Sequence, residues 1–186
     1  EACLVGSEMC IRDRIIDTGY GLERFCWAAA GTPTIYESIY PESVEWLKNL
    51  AGFSAERFEM TQSELDSILG EMSRLFGIMN IEAGSDGDRM QGIFLKRLAE
   101  RGHHIDADLF NSITEPLSKI YAIPDHMHAL ANMLGDGLVP SNAKAGYLAR
   151  MIARRVLRMR DELEIEVSLP ELAQHQLDVN YTKERM

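Results

Sequence analysis

RIIDTGYGLER, residues 14–24, is the stretch that decides the fold of this chain. Two isoleucines precede a pair of glycines, and helix-forming residues follow them. Because β-branched residues favour strands and glycine favours turns, residues 14–18 are predicted to form a strand that turns into a helix at residues 21–30. A single strand has no ladder partner of its own, so this strand is expected to belong to a sheet whose other strands lie outside the chain.

Helical patterns fill most of the remaining sequence. Apolar residues recur at three- and four-residue spacing, and capping-box sequences occur at residues 61–64 (TQSE) and 168–171 (SLPE). Helices are predicted at about residues 41–51, 61–76, 89–101, 106–121, 124–134, 142–163 and 168–179. Pro116 is expected to kink one helix and Pro124 to start the next, whereas residues 83–88 are predicted to be a surface loop. The predicted fold class is mainly α, a helical domain preceded by one terminal strand–helix segment.

Composition narrows the classes of function. The 186 residues are 46% hydrophobic and 26% charged, which is ordinary for a soluble globular protein. No apolar run reaches the ~20 residues that a membrane span needs. Cys3, Cys10 and Cys26 lack metal-ligand spacing and suit a reducing compartment, so a cytoplasmic location is predicted. Residues 1–13 have neither helical nor strand periodicity, and we expect them to be a non-native leader.

A basic run stands out against the net charge of −10. Residues 137–160 hold six bases and no acid, whereas the rest of the chain holds 13 bases and 29 acids. The bases of this run are Lys144, Arg150, Arg154, Arg155, Arg158 and Arg160. Three of them recur every fourth residue, which places them on one face of a helix. This face is predicted to meet phosphates, although such a run is also typical of an ordinary solvated helix.

The glycine turn is built like a ligand site. Gly19 and Gly21 let a ligand approach the backbone at the positive end of a helix, and Arg24 projects from its first turn. Arginine offers a planar face to a base and a forked donor to phosphate, while Asp17 is placed to accept a hydrogen bond from an ammonium group. The dinucleotide fingerprint needs a third glycine where Arg24 stands, so a dinucleotide site is not predicted. An ordinary turn capped by Asp17 or Thr18 stays open.

A second candidate site precedes the basic helix. Pro140-Ser141-Asn142 leads into that helix, and Ser141 or Asn142 is a preferred helix cap. An exposed Asn142 would also be suited to a base edge in the shallow groove of an RNA helix, because its amide both donates and accepts. On the residues alone, cap and RNA contact both stay open. The five histidines show no ligand spacing, so no metal site is predicted.

The glycine turn resembles the third signature motif of the class II aminoacyl-tRNA synthetases. The resemblance is carried by DTGYGLERF at residues 17–25, followed by Trp27 and by GTPT at residues 31–34. Within the class, these residues are most similar to the alanyl-tRNA synthetase family of archaeal type. The resemblance implies three roles for residues of the turn. They are Arg24 in catalysis and ATP binding, Gly19 and Gly21 in ATP binding, and Asp17 and Gly19 in alanine binding.

The C-terminal half resembles the tRNA-recognition domain of the same family. IPDH at residues 123–126, MLGDGLVPSN at 133–142 and GYLAR at 146–150 carry this second resemblance. It implies that Asn142 reads a G:U wobble pair in the tRNA acceptor stem from the minor-groove side. The implied tRNA-binding residues are Asn142, Ser141, Lys144, Arg150 and Arg154.

The resemblance also implies a domain plan and a function. Residues 14–32 would end a class II catalytic domain with an antiparallel sheet (α+β in the intact protein), and residues 33–186 would form a helical insertion and an incomplete tRNA-recognition domain. The chain would be an inactive fragment of an alanine–tRNA ligase that uses ATP and Mg²⁺, with zinc only in an editing domain outside it. Its partners would be alanine and the acceptor stem of tRNA-Ala, and no binding to a membrane is expected. A non-catalytic helical RNA-binding module and a structural bundle stay open as alternatives.

Overall fold

The computed structural model describes residues 21–79 and 87–181 of the chain. The predicted strand at residues 14–18, with Asp17 and Gly19, lies outside these residues, as does the expected leader. All regular structure in the described part is helical, which confirms the mainly α class. Among its helices, none is both long and apolar enough to cross a membrane.

Two compact units make up the chain, residues 1–39 and residues 40–186. The first contains α1 (Leu22–Ala30) and α2 (Ile35–Ile39). The second contains α3 (Pro41–Leu50), a 3-10 helix (Ala55–Phe58), α4 (Gln62–Met79), α5 (Gly87–Glu100), α6 (Ala107–Gly135), α7 (Lys144–Glu162) and α8 (Leu169–Tyr181). The sequence did not predict α2 or the 3-10 helix, because segments this short carry too little periodicity. The predicted division at residues 32 and 33 stays a prediction.

The starts of α4 and α8 confirm both capping boxes. Thr61 N donates to Glu64 Oε2 at 2.8 Å, and Glu64 N donates to Thr61 Oγ1 at 3.3 Å. Ser168 N and Glu171 Oε2 repeat the first bond at 2.8 Å, and Glu171 N and Ser168 Oγ repeat the second at 3.4 Å. Hydrogen bonds to a carboxylate favour its charged form, so they lower the pKa of both acids. The backbone of Thr61 is the main cause for Glu64, and the Ser168 hydroxyl is the main cause for Glu171.

The two helices predicted on either side of Pro124 are one helix, α6, so the predicted start at Pro124 is wrong. Pro116 and Pro124 both lie inside α6. A proline within a helix removes a hydrogen bond and costs about 3 kcal/mol. Burying one large apolar side chain contributes about 1.5–3 kcal/mol, and the apolar face of α6 buries enough of them to offset both prolines. These side chains are Phe110, Ile113, Leu117, Ile120, Tyr121, Ile123, Met127 and Leu130.

The second unit has two packing groups, and α6 takes part in both. Near its start, Phe110 of α6 joins a buried cluster with α4 and α5. The other members of this cluster are Ile68, Met72, Phe94 and Leu98. Farther along, α6 packs against α3, α7 and α8. Lys119 of α6 and Glu162 of α7 form an ion pair at 3.1 Å, which supports the second contact.

α3 and α8 meet through a stacked and a polar contact. The rings of Trp46 and His175 stack with their centroids 4.0 Å apart. Ser43 Oγ donates to Gln176 Oε1 at 3.3 Å, and both side chains are buried. Burial lowers the pKa of His175, against the opposing effect of nearby carboxylates. These contacts hold α8 against α3.

Candidate nucleotide and RNA sites

The first unit presents Arg24 on the first turn of α1. Gly21 precedes the helix with a φ of +68°, a left-handed conformation that favours glycine. Arg24 N donates to Gly21 O at 3.0 Å, so the helix begins directly after Gly21, within one residue of its predicted start. The side chain of Arg24 is exposed, and it forms no ion pair with any residue that the structure describes. Its guanidinium is therefore open to a ligand.

The far end of α1 is tied into a tight turn. Gly31 adopts a left-handed conformation, and its N–H donates to Trp27 O at 2.9 Å. Trp27 Nε1 donates to Thr32 O at 2.7 Å. Thr34 and Glu37 then form a capping pair, in which Thr34 N donates to Glu37 Oε2 at 3.3 Å. These bonds involve Gly31, Thr32 and Thr34 of the GTPT sequence, and together they close the turn between α1 and α2.

The apolar side of α1 has little cover from the residues that the structure describes. None of the residues of α1 is buried. Leu22 is 76% exposed and Phe25 is 59% exposed. Apolar side chains this exposed are typical of a helix face that packs against another surface, and the predicted sheet stays a prediction.

The start of α7 has no side-chain cap, so the alternative in which Ser141 or Asn142 caps it is wrong. Ala143 occupies the cap position, and no side chain accepts a hydrogen bond from the first turn. Asn142 is exposed, and its amide bonds to no group within residues 21–79 and 87–181. Since the amide is not used as a cap, both its donor and its acceptor remain open to a partner.

The chain before α7 folds back onto the helix. Ser141 N donates to Gly146 O at 2.9 Å, and Ser141 Oγ donates to Ala143 O at 3.1 Å. Lys144 has a φ of +50°, which is rare for a residue with a side chain. This reversal takes Ser141 and Asn142 away from the cap position and leaves the loop held by contacts with the first turn of α7.

The basic run divides into open and occupied side chains. Arg155 Nη1 donates to His126 Nε2 of α6 at 3.4 Å. Arg160 Nε donates to Asp161 Oδ1 at 3.0 Å, and Arg160 Nη1 donates to Val167 O at 3.3 Å. The other four bases are exposed and form no ion pair with the described residues. They are Lys144, Arg150, Arg154 and Arg158, and three of them are the predicted tRNA contacts.

Two residues of this region were not predicted from the sequence as functional. Tyr147 is 55% exposed on α7 between Lys144 and Arg150, where its ring is open to stacking on a base. The sequence signal for Tyr147 is an aromatic residue between basic residues. Gly146 is buried beneath the loop, and only the coordinates show that contact. Within the described residues, no group of three or more His, Cys, Asp or Glu side chains is arranged to hold a metal ion.

The predicted RNA contacts all lie on α7 or within three residues before it, whereas Arg24 belongs to the other compact unit. Ser141, Asn142 and Lys144 lie at the start of α7, and Arg150 and Arg154 lie farther along the same helix. Arg24 and Gly21 belong to the other compact unit. The chain therefore holds two candidate sites, and Asp17 and Gly19 of the first are outside the described residues.

A comparison with known protein families identifies the class of protein to which the chain belongs. The family model described as "tRNA synthetases class II (A)" matches residues 4–182. The chain therefore belongs to the class II (A) tRNA synthetase family.

Within that family, the chain is similar to particular ligases. It is 44% identical to the alanine–tRNA ligase of Methanosarcina barkeri over 158 residues, which cover 85% of this chain and 16% of that protein. It is 42% identical to the alanine–tRNA ligase of Methanothrix thermoacetophila over 175 residues, 92% of this chain and 18% of that protein. The alanine–tRNA ligase of Halorubrum lacusprofundi is 41% identical over 164 residues, 88% of this chain and 16% of that protein. The chain thus spans less than a fifth of the length of these relatives.

Proposed function

We propose that this chain is part of an alanine–tRNA ligase, with an ATP contact in its first unit and a tRNA contact in its second. The relatives named above are alanine–tRNA ligases, and the chain aligns with 16–18% of their length. Activation of alanine with ATP and Mg²⁺, and transfer to tRNA-Ala, are activities of the longer protein. One observation carries the RNA half of the proposal: Asn142 is exposed, caps no helix, and lies two residues before a helix that carries open cations.

Arg24 serves the activation step by binding and charge stabilisation. In that step a carboxylate oxygen of alanine attacks the α-phosphate of ATP, and pyrophosphate leaves. Because the guanidinium of Arg24 is always charged, it stabilises negative charge on the phosphates, and its plane can lie on adenine. Gly21 precedes this turn in a left-handed conformation, but Glu23 Oε1 would lie 2.5 Å from a Cβ at residue 21, so a ligand reaches the Gly21 backbone only when the Glu23 side chain moves aside. Gly19 lines the same pocket and Asp17 accepts from the amino group of alanine in this proposal.

Asn142 serves recognition of tRNA, and the cations serve docking. A side-chain amide can donate to one group and accept from another at a wobble pair in the shallow groove of an acceptor stem. Lys144, Arg150 and Arg154 are placed to contact phosphates, which orient the RNA but carry no sequence information. An acidic protein with one basic face attracts an anionic partner to that face. The net charge of −10 therefore strengthens the orientation that the basic helix imposes.

The RNA half is tested with two RNA hairpins that differ in a single pair, G:U or G:C. We expect Asn142→Ala to remove the preference of the chain for the G:U hairpin, because a lost base contact is worth about 1–3 kcal/mol. Arg150→Ala should weaken both hairpins equally and reduce the slope of log affinity against log salt by about 1. Arg160→Ala is the matched control, since Arg160 is already engaged with Asp161. Equal binding of the two hairpins by the unaltered chain would contradict the proposal and favour a non-specific RNA-binding module.

The ATP half is tested by pyrophosphate exchange. The purified 186-residue chain should show no alanine-dependent exchange, since the rest of the catalytic domain is outside it. Grafting the chain into the aligned segment of the Methanosarcina barkeri enzyme should preserve exchange. Arg24→Ala in that graft should then lower kcat/KM for ATP by at least tenfold, the loss expected for about 1.4 kcal/mol of transition-state stabilisation. Unchanged ATP kinetics in the Arg24→Ala graft would remove Arg24 from the site.

A further inference from the structure

We infer that Gly146 is a positioning residue for the RNA-reading loop, through a backbone contact that only glycine permits. This inference rests on the proposed function of Asn142 and adds a residue that is buried and does not itself contact RNA. Gly146 is buried in the first turns of α7, under the segment that carries Asn142. The loop is therefore seated on the helix four residues beyond the side chain that it presents.

The contact is closer than any side chain would allow. A Cβ placed on Gly146 would lie 2.6 Å from Val139 O and 2.3 Å from Ser141 Oγ. Ordinary contacts between carbon and a carbonyl oxygen begin near 3.3 Å, so the loop would have to move by roughly 0.7 Å. The hydroxyl of Ser141 can rotate away, but the carbonyl of Val139 belongs to the backbone. A side chain at residue 146 therefore displaces the loop itself.

A hydrogen bond holds the loop in the space that the absence of a side chain at Gly146 leaves. Ser141 N donates to Gly146 O at 2.9 Å, so the same residue supplies both the space and an acceptor. The turn between them is completed by Ser141 Oγ, which donates to Ala143 O at 3.1 Å. Asn142 lies between these two anchors with its side chain in solvent. Its backbone is thus held from both sides while its amide stays free.

The loop also carries a conformation that the surrounding contacts must enforce. Lys144 has a φ of +50°, which residues with side chains rarely adopt without support. The contact of the loop with Gly146 supplies this support, because the chain has to reverse at Lys144 to bring Ser141 back over the helix. Hydrogen bonds to a base tolerate donor–acceptor distances of only about 2.7–3.2 Å. A loop displaced by a few tenths of an ångström or more would therefore misplace the amide of Asn142.

The test is Gly146→Ala in the full 186-residue chain, with the G:U and G:C hairpins as probes. We expect the G:U preference to fall to about one, as in Asn142→Ala, while affinity for the G:C hairpin changes less than twofold. The double variant Asn142→Ala/Gly146→Ala should lose no more preference than either single variant, because both act on one contact. Gly92→Ala is the matched control, since a Cβ there meets nothing within 4 Å. It should leave the preference unchanged.

A second measurement reads the loop without RNA. The amide of Ser141 should be protected from hydrogen exchange in the unaltered chain and lose that protection in Gly146→Ala, while amides in the middle of α7 keep theirs. Loss of protection throughout α7 would mean that the helix itself had failed. In that case Ser141→Ala decides: at this exposed position it removes the hydroxyl anchor alone, and it should reduce the G:U preference. An unchanged preference in Ser141→Ala would then overturn the inference.

The outcomes separate this inference from the proposed function. If neither Asn142→Ala nor Gly146→Ala alters the preference, the assignment of Asn142 to RNA reading fails, and the positioning role of Gly146 fails with it. If Asn142→Ala abolishes the preference while folded Gly146→Ala retains it, Gly146 has no positioning role and the proposed function stands. Equal weakening of both hairpins by Gly146→Ala also overturns the inference, because it shows a general structural effect.

Discussion

Consecutive helices of the second unit, α7 and α8, begin in opposite ways. At the start of α8, Ser168 and Glu171 bond to each other's backbone, and the Ser168 hydroxyl also donates to Glu171 Oε2. At the start of α7, the cap position holds Ala143, and the polar side chain of Asn142 points to solvent. Both starts offered a residue with high capping preference, yet only one uses it.

The difference separates side chains that stabilise the fold from side chains that are left for a partner. A capping side chain satisfies a backbone N–H and is no longer free to bind anything else. The α7 start forgoes that stabilisation and instead holds its loop by backbone contact with Gly146. We therefore expect substitutions at the two starts to have separable effects on stability and on RNA binding.

The largest effect on stability is expected from Ser168→Ala. Loss of a serine cap costs about 1 kcal/mol, so urea denaturation should show a lower free energy of unfolding and unchanged RNA affinity. Asn142→Ala should leave the free energy of unfolding unchanged, because Asn142 caps nothing. If Asn142→Ala destabilises the chain as much as Ser168→Ala does, the contrast between the two starts is wrong.

A smaller effect is expected from replacing residues in the left-handed region. Lys144 has a φ of +50°, and Glu164, just beyond α7, has a φ of +55°. Glycine relieves this strain at some entropic cost, so Lys144→Gly and Glu164→Gly should each raise the free energy of unfolding by up to about 1 kcal/mol. Only Lys144→Gly should weaken RNA binding, equally for both hairpins, because it removes a cation. Destabilisation by Lys144→Gly would show that the side chain itself packs the loop.

The smallest effect is a difference in pH dependence between the two starts. The Ser168 hydroxyl lowers the pKa of Glu171 in the folded chain. The stability that Glu171 contributes is therefore complete above the ordinary glutamate pKa of about 4.3 and is lost as the pH falls through the lowered folded value. Hydrogen exchange below that pH should show the first turn of α8 opening, and Glu171→Gln should remove the effect. The first turn of α7 contains no acid, so it should show no such step.

Local signals explain which parts of the fold could be predicted. The two capping boxes lie within four residues of sequence, and the structure confirms both. The first turn of α1 at Arg24 follows in the same way from the spacing of Gly21 and the helix-forming residues after it. In each case neighbouring residues supply both partners of the bond.

Distant contacts explain the parts that could not be predicted. Pro124 predicts a helix start, but burial of the α6 face on other helices carries the helix through it. Asn142 predicts a cap, but contact between Val139 and Gly146 moves the loop off the helix end. In both cases the deciding partner lies outside the tetrapeptide that carries the signal, so local preference points to the wrong outcome.

The continuity of α6 couples the two packing groups of the second unit. A helix of 29 residues is about 44 Å long, and this one runs from the cluster around Phe110 to the part that packs against α7. Pro116 and Pro124 both lie inside this helix, and neither ends it. Because neither packing group can lose its part of α6 without interrupting the helix that the other group uses, the two groups should melt in a single transition.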